Sequence, residues 1–430
     1  MEILFVLNTK IYSKVRELII RSLKDLQLYK KEVSNTLSLF STQILVLIIG
    51  LGIKSIQTNA LPPKEYGLLA LFGTISSVVV LFFHYASFSS LKVLLANNED
   101  EKKEKEFFGL GILIATILGI LFSVAIFGFS FFIDDLLGVK IGNLLMLLSP
   151  FCFVLPFQFF ISEITIGANK LKSLAIFHLF SKVLFFVSLF AIWRFSELDV
   201  QLIILLNLLS WMISTLVILS ALKPSFNGVQ KNMQLVKAKN KSFGYAYYFG
   251  AIVNQSTFKL DELFITYFVN ITQLGFYTLA SVICSPMTFF SRAFVNSIFK
   301  KFAVKDRIPL RVFIYNTLWL SFCVFFLYLF SDLIVSILFG DDYMQASDFI
   351  VPLSIAFLFQ GMYAPFSFLS VKSKGKELRN VAYLEAFINV LGNVILVPTI
   401  GVLGAIYASI FSRFTHLIGL WYYYIKMIKS

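Results

Sequence analysis

Lys259, Asp261 and Glu262 stand within four positions of the stretch "KLDELF", inside a long apolar run. A charged group at mid-bilayer depth costs at least about 2.5–3.5 kcal/mol on insertion scales, so a chain keeps one there where it binds, carries or balances charge. Three chemistries are open to this trio. Lys259 can bind an anion. The carboxylates can exchange protons or sodium ions. Lys259 and Glu262 can also neutralise each other at i,i+3, which leaves Asp261 without a partner. At about 100° per residue, with Lys259 at zero, Glu262 falls near 300° and Asp261 near 200°, while Leu260, Leu263 and Phe264 take the opposite side. The polar arc must face protein or water, so the segment reads as one wall of a hydrated cavity.

Other apolar segments carry matching polar stripes. Lys54 shares a helical side with Gln43, Gly50 and Gln57; Lys182 lies with His178 and Ser181; Glu385, Asn389 and Asn393 repeat at i, i+4, i+8. Arg413 falls near the middle of the last apolar segment with His416 one turn on, and His84 lies inside the second. Candidate substrate-binding residues are therefore Lys54, His84, Lys182, Lys259 and Arg413. Candidate ion-coupling or cavity-lining polar residues are Asp261, Glu262, Glu385 and Asn389. Lys92, Glu163 and Arg292 sit near segment ends, where long side chains reach for the interface. His178 and His416 read first as packing residues. No Walker loop, HExxH, GxSxG or zinc-type Cys/His cluster occurs. Cys152, Cys284 and Cys323 are scattered in apolar surroundings as small core residues. The expectation is a non-enzyme with no metal and no cofactor beyond the proton or sodium exchange named above.

The elements that hold these residues are membrane spans. Of 430 residues, 58% are apolar and 14% charged, against about 25% charge in soluble domains, and the mean hydropathy is +0.82. Runs long enough to cross a hydrocarbon core of about 30 Å recur near 36–59, 67–94, 107–131, 142–168, 172–194, 200–222, 243–269, 272–297, 309–330, 347–370, 378–398 and 401–427. The predicted fold class is an all-α polytopic membrane protein of about twelve transmembrane helices. Residues 1–35 read as an interfacial N-terminal segment with a basic face. Residues 36–222 read as a six-helix lobe, 223–242 as a linker and 243–430 as a second six-helix lobe. Lysines and arginines concentrate in alternate connections, the linker among them, which by the positive-inside rule puts both termini in the cytoplasm. That alternation also accounts for the net charge of +13 without a nucleic-acid partner.

The halves resemble each other. "EYGLLALFGTISS" (65–77) aligns with "QLGFYTLASVICS" (273–285), matching Gly67 with Gly275, and "LKSLAIFHLFSKVL" (171–184) aligns with "LRNVAYLEAFINVL" (378–391) at nearly the same offset. Two matches at one spacing argue for a duplicated six-helix unit, and repeats of this kind often hold a transport site between them.

The order of these motifs resembles one family. "NALPPKEYGLLALFGTISSVVVL" is similar to an L-x-P-x-E-Y-G signature of Wzx-type polysaccharide flippases, in the superfamily of lipid II flippases and multidrug and toxic compound extrusion proteins. "KLDELFITYFVNITQLGFYTLAS" resembles that family's seventh-span pattern, an acidic residue (Asp261) followed by G-x-Y (Gly275, Tyr277). The resemblance implies a flippase for an oligosaccharide on undecaprenyl diphosphate, in O-antigen or similar lipopolysaccharide or surface-glycan synthesis. Movement would run from the cytoplasmic to the periplasmic leaflet of a bacterial inner membrane by alternating access. Its implied partners are the lipid-linked substrate, membrane lipids, and a glycan polymerase and chain-length regulator. Many relatives carry a basic residue before L-x-P; this chain has Asn59, and Lys54 is placed to take that part. A cation-coupled multidrug antiporter of the same superfamily is the alternative, and a membrane glycan polymerase or ligase a more distant one.

Overall fold

The computed structural model describes residues 44–83, 86–303, 306–372 and 374–429. The predicted interfacial segment 1–35 and His84 lie outside the described residues. Each of the twelve predicted spans has a helical counterpart. Ten helices among the described residues are long and apolar enough to cross a membrane.

α1 (Ile44–Ala60) leads into α2 (Pro63–Phe83), which starts on a proline, whose missing N–H costs nothing in a first turn. α3 (Ala86–Ala96) follows. Asp100 caps α4 (Glu101–Phe129) by accepting from the Lys102 N–H, and Glu101 and Glu104 complement the positive end of the helix dipole. α5 (Ile133–Leu137) is one short turn ended by Gly138 at φ 66°. α6 (Gly142–Leu148), a 3₁₀ stretch over Ser149–Val154 and α7 (Leu155–Gly167) make one span interrupted around two prolines, Pro150 and Pro156. α8 (Leu171–Phe195) and α9 (Val200–Leu222), the latter capped by Asp199, complete the first six spans.

The linker folds into α10 (Val229–Lys239), whose Asn232 donates to Glu106 at 3.1 Å. A π-helical turn over Asn240–Gly244 then enters α11 (Tyr245–Phe268). α12 (Ile271–Cys284), capped by Asn270, is separated by Ser285 and Pro286 from α13 (Met287–Ala303). α14 (Leu310–Phe339), α15 (Gln345–Gly361), the short α16 (Ser367–Val371), α17 (Gly375–Ile400) and α18 (Val402–Lys429) follow. Exposed apolar rows such as Leu318, Phe322, Phe325 and Leu329 on α14 face outward, where hydrocarbon is the natural solvent.

Apolar packing is distributed unevenly along the bundle. At the end carrying residues 60–63, 269–271 and 340–344, one buried cluster runs through both sets of spans and includes Leu61, Tyr66, Ile271, Phe276, Tyr343 and Val402. Toward the linker the core divides. One cluster, with Phe88, Phe107, Phe160 and Val236, belongs to the first six spans and α10; the other, with Val295, Phe302, Phe366 and Tyr424, belongs to the last six. Among the described residues the two sets of helices share one apolar core at one end and none toward the other, where the start of α11 and the turn before it stay on the first set through Tyr248 donating to the Phe82 carbonyl at 2.8 Å and Asn240 to Ser87 Oγ at 3.0 Å. Gly67 and Gly275, matched by the internal repeat, meet where α2 crosses α12. A Cβ on Gly67 would lie 2.1 Å from the Ile271 carbonyl oxygen, and one on Gly275 would lie 3.3 Å from the Gly67 nitrogen. Equivalent residues that touch each other are what a two-fold axis produces.

Candidate functional site

Between the two sets of helices lies a cavity of about 1180 Å³. Helical register brings its charged groups together. Gly50, Lys54 and Gln57 line it from α1, Lys182 from α8, Lys259 and Glu262 from α11, and Arg292 from α13. Lys54 lies within electrostatic reach of both Lys182 and Lys259, and its ammonium sits 5.1 Å from the centre of the Tyr66 ring, a cation–π contact. Glu262 is the one acidic residue among the described lining residues. It accepts from Lys259 Nζ at 2.7 Å and from the Thr74 hydroxyl of α2, which ties α11 across the cavity to the first set of spans. Three lysines and an arginine against one carboxylate make a cationic chamber.

One end of the chamber is sealed. Tyr66 forms part of the wall and is 1% exposed. Behind it Tyr343 packs edge-on, ring centroids 5.7 Å apart, and meets Phe276 at 6.1 Å. The Tyr343 hydroxyl donates to the Leu61 carbonyl at 2.7 Å. The lining continues away from this seal toward the linker end as far as Arg292.

The structure divides the sequence candidates into two groups. Lys54, Lys182, Lys259 and Glu262 face the chamber. Asp261, Glu385, Asn389 and Arg413 are buried outside the described lining. Asp261 turns toward α17 and α18. Its Oδ1 accepts from Asn393 Nδ2 at 2.7 Å, and its Oδ2 from Ser409 Oγ at 2.6 Å and Tyr277 OH at 3.2 Å. Asn393 also donates to the Asn389 carbonyl at 2.9 Å. One turn along α17, Glu385 Oε2 lies 2.6 Å from His416 Nδ1, with the Tyr363 ring stacked on the imidazole at 4.2 Å. Arg413 was expected in the binding wall. It points instead into the packing of the last six spans, its guanidinium 4.8 Å from the centre of the Phe357 ring on α15, because mid-span position does not fix which side of α18 meets the cavity.

Arg292 reverses the expectation in the other direction. Read as a span-end residue reaching for the interface, it lines the chamber, which extends along α13 to its level, and it donates to Thr288 Oγ1 at 3.1 Å. Lys92 and Glu163, also read as span-end residues, pair with each other at 3.2 Å. The Lys259–Glu262 pair forms, and it does so in the cavity wall, so the neutralising and site readings of "KLDELF" describe the same two side chains. Sequence reasoning passed over Thr74, Gln158, Asn207 and Trp211, all of which line the chamber. A lone asparagine amid the leucines of α9 was the available signal. Among the described residues no group of His, Cys, Asp and Glu could hold a metal ion.

Comparison with known proteins places this architecture. Among solved structures it is similar to the lipid II flippase MurJ in an inward closed conformation (TM-score 0.67, 15% identity, covering 91% of this chain and 89% of that one). It is also similar to an inward-facing multidrug resistance transporter of the MATE family (TM-score 0.71, 12% identity, 92% and 99%). A MOP-superfamily transporter from Pyrococcus furiosus, noted for a binding pocket of reverse polarity, matches with TM-score 0.62 at 11% identity, covering 93% and 96%. The fold is that of the MOP-superfamily transporters and flippases. No curated protein sequence matches the chain, but the family of polysaccharide biosynthesis proteins matches residues 33–299, and the chain belongs to that family.

Proposed function

We propose that the protein is a flippase that moves an oligosaccharide carried on undecaprenyl diphosphate from the cytoplasmic to the periplasmic leaflet. The observation that carries this reading is the cationic chamber: Lys54, Lys182, Lys259 and Arg292 against Glu262 alone. A diphosphate presents acceptors that ammonium and guanidinium groups bind by charge-assisted hydrogen bonds. A cationic drug would meet repulsion on the same wall, which disfavours the antiporter reading. The setting is a bacterial inner membrane with both termini cytoplasmic, residues 36–222 and 243–430 acting as two lobes about the chamber. The linker end then faces the cytoplasm, so the chamber is presented to the leaflet where the substrate is made.

The uneven packing supports alternating access. Closing the linker end and opening the sealed end would carry the head group across while the polyprenyl tail stays in hydrocarbon. Glu262, or the Asp261–Asn389 and Glu385 cluster, would exchange a proton or sodium ion during the swing. A glycan polymerase and chain-length regulator of O-antigen type would take the product. The test is complementation of a bacterium lacking its own flippase. Surface glycan should return with the wild-type chain and be lost, at unchanged protein abundance, when Lys54 and Lys182 are both replaced by alanine. Unchanged display in that double variant would remove the chamber from the reading.

A further inference from the structure

The chamber is chemically divided, and the division suggests what each wall holds. Its cations come from α1, α11 and α13, with Lys182 at the border, whereas the side built by α7 and α9 offers Gln158, Asn207 and Trp211. Asn207 and Trp211 are one turn apart on α9 and so share a helix side. Trp211 is half-buried and held from behind: Phe177 packs on it at 5.3 Å and His178 meets it edge-on at 6.1 Å. His178 is in turn one helical turn from Lys182 on α8, so the tryptophan adjoins the cationic border. Neither the Asn207 nor the Gln158 amide has a hydrogen-bond partner among the described residues. Amides with open donors and acceptors at membrane depth carry a desolvation cost unless water or a ligand meets them.

We infer that the α7–α9 wall is a sugar subsite: Trp211 stacks against the C–H face of a pyranose ring, and Asn207 and Gln158 hydrogen-bond its hydroxyls. The chemistry is matched on each count. A sugar ring has an apolar face that suits an aromatic plane, and each hydroxyl both donates and accepts, as an amide does. Lys182, in the lining at the border of this wall, offers a cation for the phosphate that the first sugar would carry. The inference rests on the flippase reading and adds that the protein reads the glycan as well as the diphosphate.

The test measures binding of two probes to the purified full-length protein in nanodiscs: undecaprenyl diphosphate, and undecaprenyl diphosphate bearing one N-acetylglucosamine. The wild type should bind the sugar-bearing lipid about tenfold more tightly, the combined effect of one ring contact and a hydrogen bond. Trp211→Ala and Asn207→Leu should bring the ratio close to one while leaving affinity for the sugar-free lipid unchanged, and Trp211→Phe should keep most of it. Sugar-free binding certifies that each variant is folded, and Asn207→Leu and Gln158→Leu carry the test if Trp211→Ala is unstable. Equal binding of both lipids by the wild type, or an unchanged preference for the sugar-bearing lipid in variants that still bind the sugar-free one, would overturn the subsite and leave the flippase reading standing. Failure of the wild type to bind either lipid would overturn both.

Discussion

Glu262 holds two partners from different helices, and that arrangement decides how its neighbour behaves when replaced. Lys259→Ala removes one partner, but the Thr74 hydroxyl remains on the carboxylate and the chamber supplies water. Abundance should therefore hold while glycan display falls, since one charge-assisted contact is worth about 1.5–3 kcal/mol, roughly ten- to a hundredfold in affinity. Lys259→Ala with Glu262→Ala should not restore display; recovery would mean the pair is structural only. Asp261 makes the opposite forecast. Three buried donors converge on it, from Asn393, Ser409 and Tyr277, and Asp261→Ala strands them at about 1–3 kcal/mol each. Thermal unfolding in detergent should show a clear drop in midpoint for Asp261→Ala and a smaller one for Asp261→Asn; an unchanged midpoint in the alanine variant would contradict the network. The sequence left Asp261 without a partner because its partners lie on other helices, Tyr277 16 residues away on α12 and Asn393 and Ser409 132 and 148 residues away on α17 and α18, and helical spacing relates only residues of one helix.

Helices were legible where their cause is local. Each span follows from an apolar run that a bilayer demands, while the caps on Asp100, Asp199 and Asn270 emerge only in the structure. The breaks at Ser149–Val154 and Ser285–Pro286 were less legible, since a proline marks a kink without saying how the next helix leaves it. Rotation about the helix axis and the depth of the chamber were the real losses: the first put Arg413 outside the lining and the second brought Arg292 into it. The α2–α12 crossing gives a sharp test. Gly67→Ala would drive a Cβ into the Ile271 backbone carbonyl, which cannot swing aside like a side chain. The helices must separate, at a cost of about 1–3 kcal/mol, read as lower membrane abundance and a lower unfolding midpoint. Gly128→Ala on α4, where a Cβ meets nothing within 4 Å, should be neutral; equal effects would mean the crossing is not tight.

The joined end and the parted end define a direction of access. A cysteine replacing Ser77, in the chamber wall, should react with a membrane-impermeant thiol reagent added from the linker side, while one replacing Leu61, 3% exposed beneath Tyr343, should not. Labelling at 61 from that side would mean the seal is open. Reporter fusions after Lys241 and Lys374 should read one side of the membrane and a fusion after Asp342 the other. The cationic chamber has a kinetic consequence as well. On the alternating-access reading, closing the linker end expels water and leaves the ammonium groups of Lys54, Lys182 and Lys259 to repel each other in a lower dielectric. On the flippase reading a bound diphosphate offsets that repulsion, as one carboxylate cannot. The laden stroke should then be the faster one, and the unladen return the step that limits turnover.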